Sequence, residues 1–503
     1  MLIRERITHL MDAYMNAWNT NLCRKVFRIH KRLLSYLVVP LILGCGIMQG
    51  YERPKADIHQ YWRVEYQEAE ALANTAWWEN FQDPVLNELI KTALSENKDL
   101  RIASARVEEF ESRLQATQSD FYPQIYYGGS VSRYQETLER VIPLPEDVDR
   151  INYNFQAMLN LNWELDIWGR IHGKTDAARA EVLSTEEARQ GVILTLVSAV
   201  ANSYFELLSL DRQLEISLQT MASRKDSLRL FEGKKKGGQI SELELAQVRS
   251  AYEQIAILIP ILELKIPLQE NSLSVLLGRN PGPIKRGKKL LDTLAMPKIP
   301  LVIPSDLLVR RPDIRQSEQN LIAANARIKV ARTKYFPSIS LTGEYGYNSP
   351  ESSELFETSA NMWDASAGVI GSIFTGGRIK GEVRQTEAKY KQLLNDYQNT
   401  IQTALREVND SLISIQKLRE LLQIEARHIS VLKDYAYFAR SSYDAGYSTY
   451  LTVLDAERAL YGAQIRYIQT QKDLFSAMVN TYNAMGGGWE TEATQSEDST
   501  KGK

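Results

Sequence analysis

Little in this chain is arranged for bond-making chemistry. His59, His172 and His428 lie far apart, with no metal-ligand spacing. No nucleophile elbow or phosphate loop is present. Gly376-Gly377-Arg378 has glycines but lacks the Lys-Ser/Thr of a nucleotide loop, and it reads as a strand-to-helix turn. The sequence therefore predicts no catalytic site, no metal and no cofactor, and argues against an enzyme. Two features remain. One is a thiol, Cys45, behind a basic and then apolar run. The other is a carboxylate and a guanidinium, Asp455 and Arg458, spaced i,i+3 after Leu451. On an ordinary helix face such a pair stabilises by only about 0.2–0.5 kcal/mol.

The thiol has a specific context. Arg24, Lys25, Arg28, Lys31 and Arg32 precede the apolar run Leu33 to Leu43, and Gly44-Cys45 follows. A basic start, about 11 apolar residues and a small residue before the cut make a signal peptide, too short for an anchor helix. Ile42-Leu43-Gly44-Cys45 resembles a bacterial lipoprotein box, with Ile42 where Leu is usual. That makes Cys45 the expected first mature residue and its acylation site. The competing reading is an ordinary buried Cys beside a signal. Residues 1–20 stand upstream, either an extension or a misassigned start. With Cys23 removed and Cys45 lipidated no disulfide can form, so stability must come from packing. Gly46 after the Cys predicts no retention at the inner membrane.

The elements around these residues come twice. Residues 99–129 and 313–343 align so that Asp99, Arg101, Arg113, Pro123 and Gly129 fall on Asp313, Arg315, Arg327, Pro337 and Gly343. Trp168-Gly169-Arg170-Ile171 falls on Gly376-Gly377-Arg378-Ile379, and Gly238 and Leu243 fall on Gly446 and Leu451. A period of about 210 residues is duplication of a domain-sized element, far longer than a solenoid repeat.

Each half reads as helix, two strands, long helix, returning helix. In 152–165 the odd positions are Tyr153, Phe155, Ala157, Leu159, Leu161, Trp163 and Leu165. The even positions are Asn, Gln or Glu except Met158. This alternation predicts a strand with one apolar and one polar face. Residues 124–132, 338–347 and 365–373 repeat it more loosely. Aromatic residues gather near the strand ends, as in the girdles of a membrane barrel, although a soluble sandwich with one wet face gives the same pattern. The loops Thr137 to Arg150 and Asn348 to Asn361 carry Pro and acidic residues and read as solvated. Helices are predicted from about His172 to Lys235 and from about Ile379 to Ala445; about 60 residues span about 90 Å. Gly237-Gly238 and Gly446 break them into hairpins, and Pro260 and Pro267 should kink the first returning helix.

The formal net charge of −2 leaves no nucleic-acid footprint. No internal run reads as the roughly 18–20 apolar residues of a spanning helix, so any membrane crossing must use strands.

These residues resemble the outer-membrane efflux channels of the TolC-like family, most closely the lipoprotein branch typified by OprM. The resemblance covers about Trp77 to Trp489. It rests on an ordered set: Trp77-Trp78 with Phe81, Asp83-Pro84 and Leu86; Asn97 with Asp99-Leu100; Trp163-Glu164-Leu165-Asp166 with Gly169-Arg170; Arg310-Arg311-Pro312-Asp313-Ile314; Phe336-Pro337; Gly376-Gly377-Arg378; and Leu454-Asp455-Ala456. It implies an α+β membrane channel. Three chains would share a twelve-stranded β-barrel, four strands each, continuing into a twelve-helix periplasmic α-barrel. It also implies outer-membrane localisation, a periplasmic adaptor and an inner-membrane pump, of the RND type, as partners. On that frame residues 1–44 are extension and signal, 45–83 an N-terminal periplasmic segment and 84–270 the first repeat. Residues 271–312 are a Pro-rich equatorial linker, 313–485 the second repeat and 486–503 a polar tail. Leu451, Asp455 and Arg458 match the constriction positions of the OprM branch, as plug, carboxylate ring and tie. Thr452 stands where the TolC branch has a second acid. Tyr443 matches a latching Tyr there, but Ser448 replaces its Arg. Arg310 and Arg311 read as structural. The implied function is a passive exit duct of a tripartite efflux system. A type I protein-secretion duct and a periplasmic helical scaffold are the alternatives, and the four alternating strands oppose the scaffold.

Overall fold

The computed structural model describes residues 51–54, 76–137, 139, 149–287 and 304–487. The expected signal and lipidation site, Cys45, His59, most of the loop after Thr137 and the polar tail from 488 lie outside the described residues. The chain divides into a strand unit (120–174 and 325–384) and a helical unit built from the remaining described residues from 76 onward.

The strand unit is one four-stranded antiparallel sheet. Its strands are β1 (Gln124–Gln135), β2 (Ile151–Leu165), β3 (Ser338–Ser349) and β4 (Asn361–Ile370), in the order β1-β2-β3-β4. Directly opposed residues share a face. Tyr127, Leu159, Tyr345 and Trp363 therefore form one row, and Ile125, Leu161, Gly343 and Ala365 the next. Between them, on the other face, runs Tyr126, Asn160, Glu344 and Asp364. One face is thus a continuous apolar and aromatic band, with Tyr127 90 % exposed. The other carries hydroxyls, amides and carboxylates, some bonded across strands: Ser130 Oγ donates to Gln156 Oε1 at 3.2 Å, and Thr342 and Ser366 lie 3.0 Å apart. Met158, the exception to the alternation, falls between Gly128 and Gly346. A Cβ on Gly346 would meet the Met158 Sδ at 2.7 Å, so the thioether occupies space the glycine leaves.

The turn from β2 into the next helix is clamped by side chains. The Arg170 guanidinium holds the Glu164 carboxylate with two N–H donors. The Asp166 carboxylate accepts from the N–H groups of Ile171 and His172 at 2.9 and 2.8 Å, capping the new helix. The Trp168 indole donates to the Pro337 carbonyl at 2.6 Å and stacks on Phe336.

The helices are α1 (Pro84–Glu96), α2 (Lys98–Gln118), α3 (Arg170–Lys236), α4 (Glu242–Ala256) and α5 (Leu258–Leu276). Then follow α6 (Leu307–Arg310), α7 (Pro312–Thr333), α8 (Arg378–Asp444) and α9 (Tyr450–Ala484). Both long helices, α3 and α8, have 67 residues. The returning helix of the first half breaks at Ile257 between α4 and α5. Pro260 has no N–H to give the Ala256 carbonyl, and its ring crowds that carbonyl, so the break falls one turn before it. Pro267 is carried inside α5. That helix runs to Leu276, into the stretch expected to be linker.

One expectation needs correcting. An apolar stretch within α3 is long enough, by composition, to cross a membrane. It is instead the heart of the helical core: Val197, Val200, Ala201, Tyr204, Phe205 and Leu207 are fully buried. Trp77 stacks on Tyr482 with centroids 4.9 Å apart, and Phe81 packs against Phe205 and Phe475. The Asp83 carboxylate caps α1 at the Val85 N–H (2.9 Å) and accepts the Tyr204 hydroxyl at 2.8 Å. Burial and that bond push the Tyr204 phenol above its ordinary value. Arg311 is structural, as expected. It donates to Asp313, to Glu407 and to the Ala484 carbonyl, joining α7, α8 and α9.

Candidate functional site

The two long hairpins end in tight turns where glycine is required by geometry. Gly238 and Gly446 both have positive φ, 69° and 81°, which costs a side-chain-bearing residue about 1–2 kcal/mol. After the first turn Ser241 and Glu244 form a reciprocal capping box that starts α4. After the second, α9 begins at Tyr450. These turns fix the direction of every side chain at the tip.

Leu451, Asp455 and Arg458 fall on one face of α9, being four and seven residues apart. Leu451 is 54 % exposed in the single chain, an apolar side chain held out on a helix that has polar alternatives nearby. The Arg458 Nη2 donates to Asp455 Oδ1 at 2.5 Å. All three line a groove of about 360 Å³ with Arg224 of α3 and Gln247 and Ser250 of α4. The second-half triad and the first-half tip around Gln247 thus share one groove.

Tyr443, at the end of α8, is fixed from the first half. The Lys234 ammonium donates to its hydroxyl at 3.2 Å and lies 5.2 Å from its ring centroid and 5.3 Å from that of Phe231. Tyr443 also stacks on Phe231 and meets Tyr450 edge-on, with centroids 5.0 Å apart. Phe231, Val248, Ala439, Tyr450, Val453 and Ala456 form a separate small core beneath the tip. Ser448 is not part of this tie; its Oγ is buried without a hydrogen-bond partner.

With Arg224 on the groove wall sits a charged cluster that sequence reasoning missed. Arg224 is 3 % exposed, donates to the Ala251 carbonyl, and leaves its Nε unpaired. Burial pulls its pKa below the ordinary guanidinium value. Burial also raises the Glu457 carboxyl, against the pull of Arg224 and Arg440. Arg440 in turn lies over the Tyr450 ring. In the sequence these are two arginines and a glutamate on three different helices. Only their meeting across the hairpins marks them, and no spacing rule reports that.

Among the described residues no group of His, Cys, Asp and Glu is placed to hold a metal. What the tip offers is a small groove with apolar and charged walls at the end of two hairpins.

Comparison with known proteins accounts for both units. Residues 89–279 and 303–487 match the family model described as outer membrane efflux protein, one match for each half of the duplication. The chain is 32% identical over 479 residues to a toluene efflux pump outer membrane protein, TtgC, of Pseudomonas putida, covering 92% of this chain and 97% of that one. It is 33% identical over 468 residues to the cation efflux system protein CusC of Escherichia coli, covering 91% and 99%. A crystal structure of CusC superposes with a TM-score of 0.79 at 32% identity, covering 88% of this chain and all of that one. With the duplicated helical hairpins, the four-stranded sheet and this likeness over nearly the whole chain, the protein belongs to the outer membrane efflux protein family and is an outer-membrane channel of an efflux pump.

Proposed function

We propose that three copies of this chain form one gated, passive duct for small solutes or drugs, fed by a periplasmic adaptor and an inner-membrane pump of the RND type. The observation that carries the reading is the open sheet. Among the described residues of the single chain, β1 and β4 are unpaired edges. In lipid each unsatisfied edge group costs several kcal/mol, so copies must share a closed barrel. Two copies give eight strands, a bore that side chains fill, while three give twelve with room for a channel. The apolar band then meets lipid and the polar rows line water. Solvent, antibiotic and cation efflux named for the relatives supports small solutes as cargo in place of secreted protein.

The hairpin tip closes this duct at rest. Leu451 supplies the apolar plug, Asp455 a ring of carboxylates and Arg458 the tie that offsets their repulsion, while Lys234 on Tyr443 holds the two hairpins of each chain together. A permanently open bore would admit toxic solutes to the periplasm. Opening therefore needs a partner that binds the open state more tightly, and the adaptor is that partner.

Cys45 anchors the mature chain through acyl chains. Mass spectrometry of the mature N-terminus is expected to find them there; an unmodified chain starting elsewhere would end that part of the reading. The duct itself is tested by reconstitution into liposomes loaded with a small dye. A duct releases dye once the tip is opened by substitution, whereas a periplasmic scaffold releases none under any condition.

A further inference from the structure

The loop joining β3 to β4 has the composition of a solvated turn, yet it is folded back on the sheet. Two short 3-10 turns, Ser352–Glu354 and Thr358–Ala360, shape it. Backbone bonds run from the Glu354 N–H to the Glu351 carbonyl, from Glu357 to Glu354 and from Ala360 to Glu357. This folding brings Phe356 onto Tyr347, edge to face, with centroids 5.5 Å apart.

The position of Tyr347 gives that contact its meaning. Tyr347 lies on the apolar face of the sheet, two residues beyond Tyr345 in β3, while Tyr345 pairs with Trp363. Phe356 and Trp363 are each 73 % exposed. At the same end of the sheet this face carries Tyr153 stacked near Phe155, with the Arg133 guanidinium over the Tyr153 ring. Aromatic rings and a long cationic side chain together are the composition of a membrane–water boundary. The strand ends that lead into α3 and α8 lie at the opposite end of the sheet. The periplasmic helices begin there, so the Phe356 end is the outer one. A single exposed Phe needs no explanation, but this one extends an apolar band that, on the function proposed above, faces lipid.

We propose that the β3–β4 loop is a lipid-contact element that lies on the outer leaflet of the outer membrane, with Phe356 inserted at the acyl–headgroup boundary beside Tyr347. The exposed carboxylates of Glu351, Glu354 and Glu357 stay in water. The partner is a lipid surface, and the contact fixes the depth and tilt of this end of the barrel.

The test places a thiol-reactive fluorophore at Phe356→Cys and, separately, at Glu354→Cys in the full chain reconstituted in bilayers. The unsubstituted chain labelled in parallel gives the background. Lipids brominated near the acyl-chain head are expected to remove most of the emission at 356 and little at 354, with aqueous iodide giving the reverse. Equal iodide quenching at both positions would show a solvated loop and overturn the proposal. Protection of position 356 from both quenchers would show it covered by a neighbouring copy, and would overturn it too. Phe356 fills no core, so the substitution leaves no cavity. If the labelled chain nevertheless fails to assemble, Phe356→Trp read against the parent's tryptophan emission gives the same discrimination.

Discussion

Glu187 shows how a single side chain sets conditions for the whole chain. It is buried on α3, with Arg315 Nη2 2.5 Å from one carboxylate oxygen and no partner on the other. Burial raises its pKa from 4.5 to about 7, against the pull of Arg315 and helped by Glu186. The folded chain therefore keeps a proton that the unfolded chain has already released. The resulting stability is present in full below about pH 4 and is lost as pH rises to about 7. Glu187→Gln is expected to flatten this dependence. Between pH 5 and pH 8 its thermal midpoint should fall less than the parent's, with the variant the more stable at pH 8. Parallel midpoint curves for variant and parent would show that Glu187 does not titrate in this range. Nothing in the sequence announced this residue. Asp83, Asn97 and Arg311 were visible as motif members, yet they serve as helix caps and core clamps. Sequence signals of that kind report local hydrogen bonding, whereas Glu187 owes its behaviour to what another helix brings beside it.

At the scale of elements, period and punctuation carried most of the fold. Two-residue alternation marked β2 because both faces of a sheet in a membrane channel are chemically opposed along their whole length. It marked β4 poorly, because Gly368 and the small residues Ala365 and Ala367 blur the contrast. Long Pro-free stretches and paired glycines marked α3, α8 and the tips within a residue or two, since only positive φ closes those turns. Two elements carry detail that composition alone does not report. The run in α3 is more apolar than expected, enough by length and composition for a span, and its burial in the helical core depends on what packs against it. The β3–β4 loop is polar by composition but shaped by its own turns and one aromatic contact. The facing of the sheet makes a direct prediction. Leu159→Arg puts a charge in the apolar row and is expected to cost about 2–4 kcal/mol at mid-depth. Asn160→Arg, on the polar row, should be mild. Unfolding of the two variants in bilayers by denaturant measures the difference, and equal damage at both positions would refute the assigned facing.

For the whole molecule the account is that of a duct assembled from incomplete parts. Among the described residues the sheet has two open edges, and the tip holds an exposed Leu451 beside the Asp455–Arg458 pair. On the proposed reading each is completed when copies close around one bore. Duplication explains why each chain supplies two strand pairs and two hairpins. It also explains why the halves could diverge, the second supplying Leu451, Asp455 and Arg458 and the first supplying Lys234 and the Gln247 wall of the groove. The central claim is that this duct is shut at the tip by Leu451, Asp455 and Arg458. Single-channel conductance in planar bilayers tests it most directly, comparing the unsubstituted protein with the triple variant Leu451→Ala, Asp455→Ala, Arg458→Ala. The account predicts a low conductance for the parent and a several-fold higher one for the variant. A variant that conducts at the parent's level would contradict it and place the constriction elsewhere.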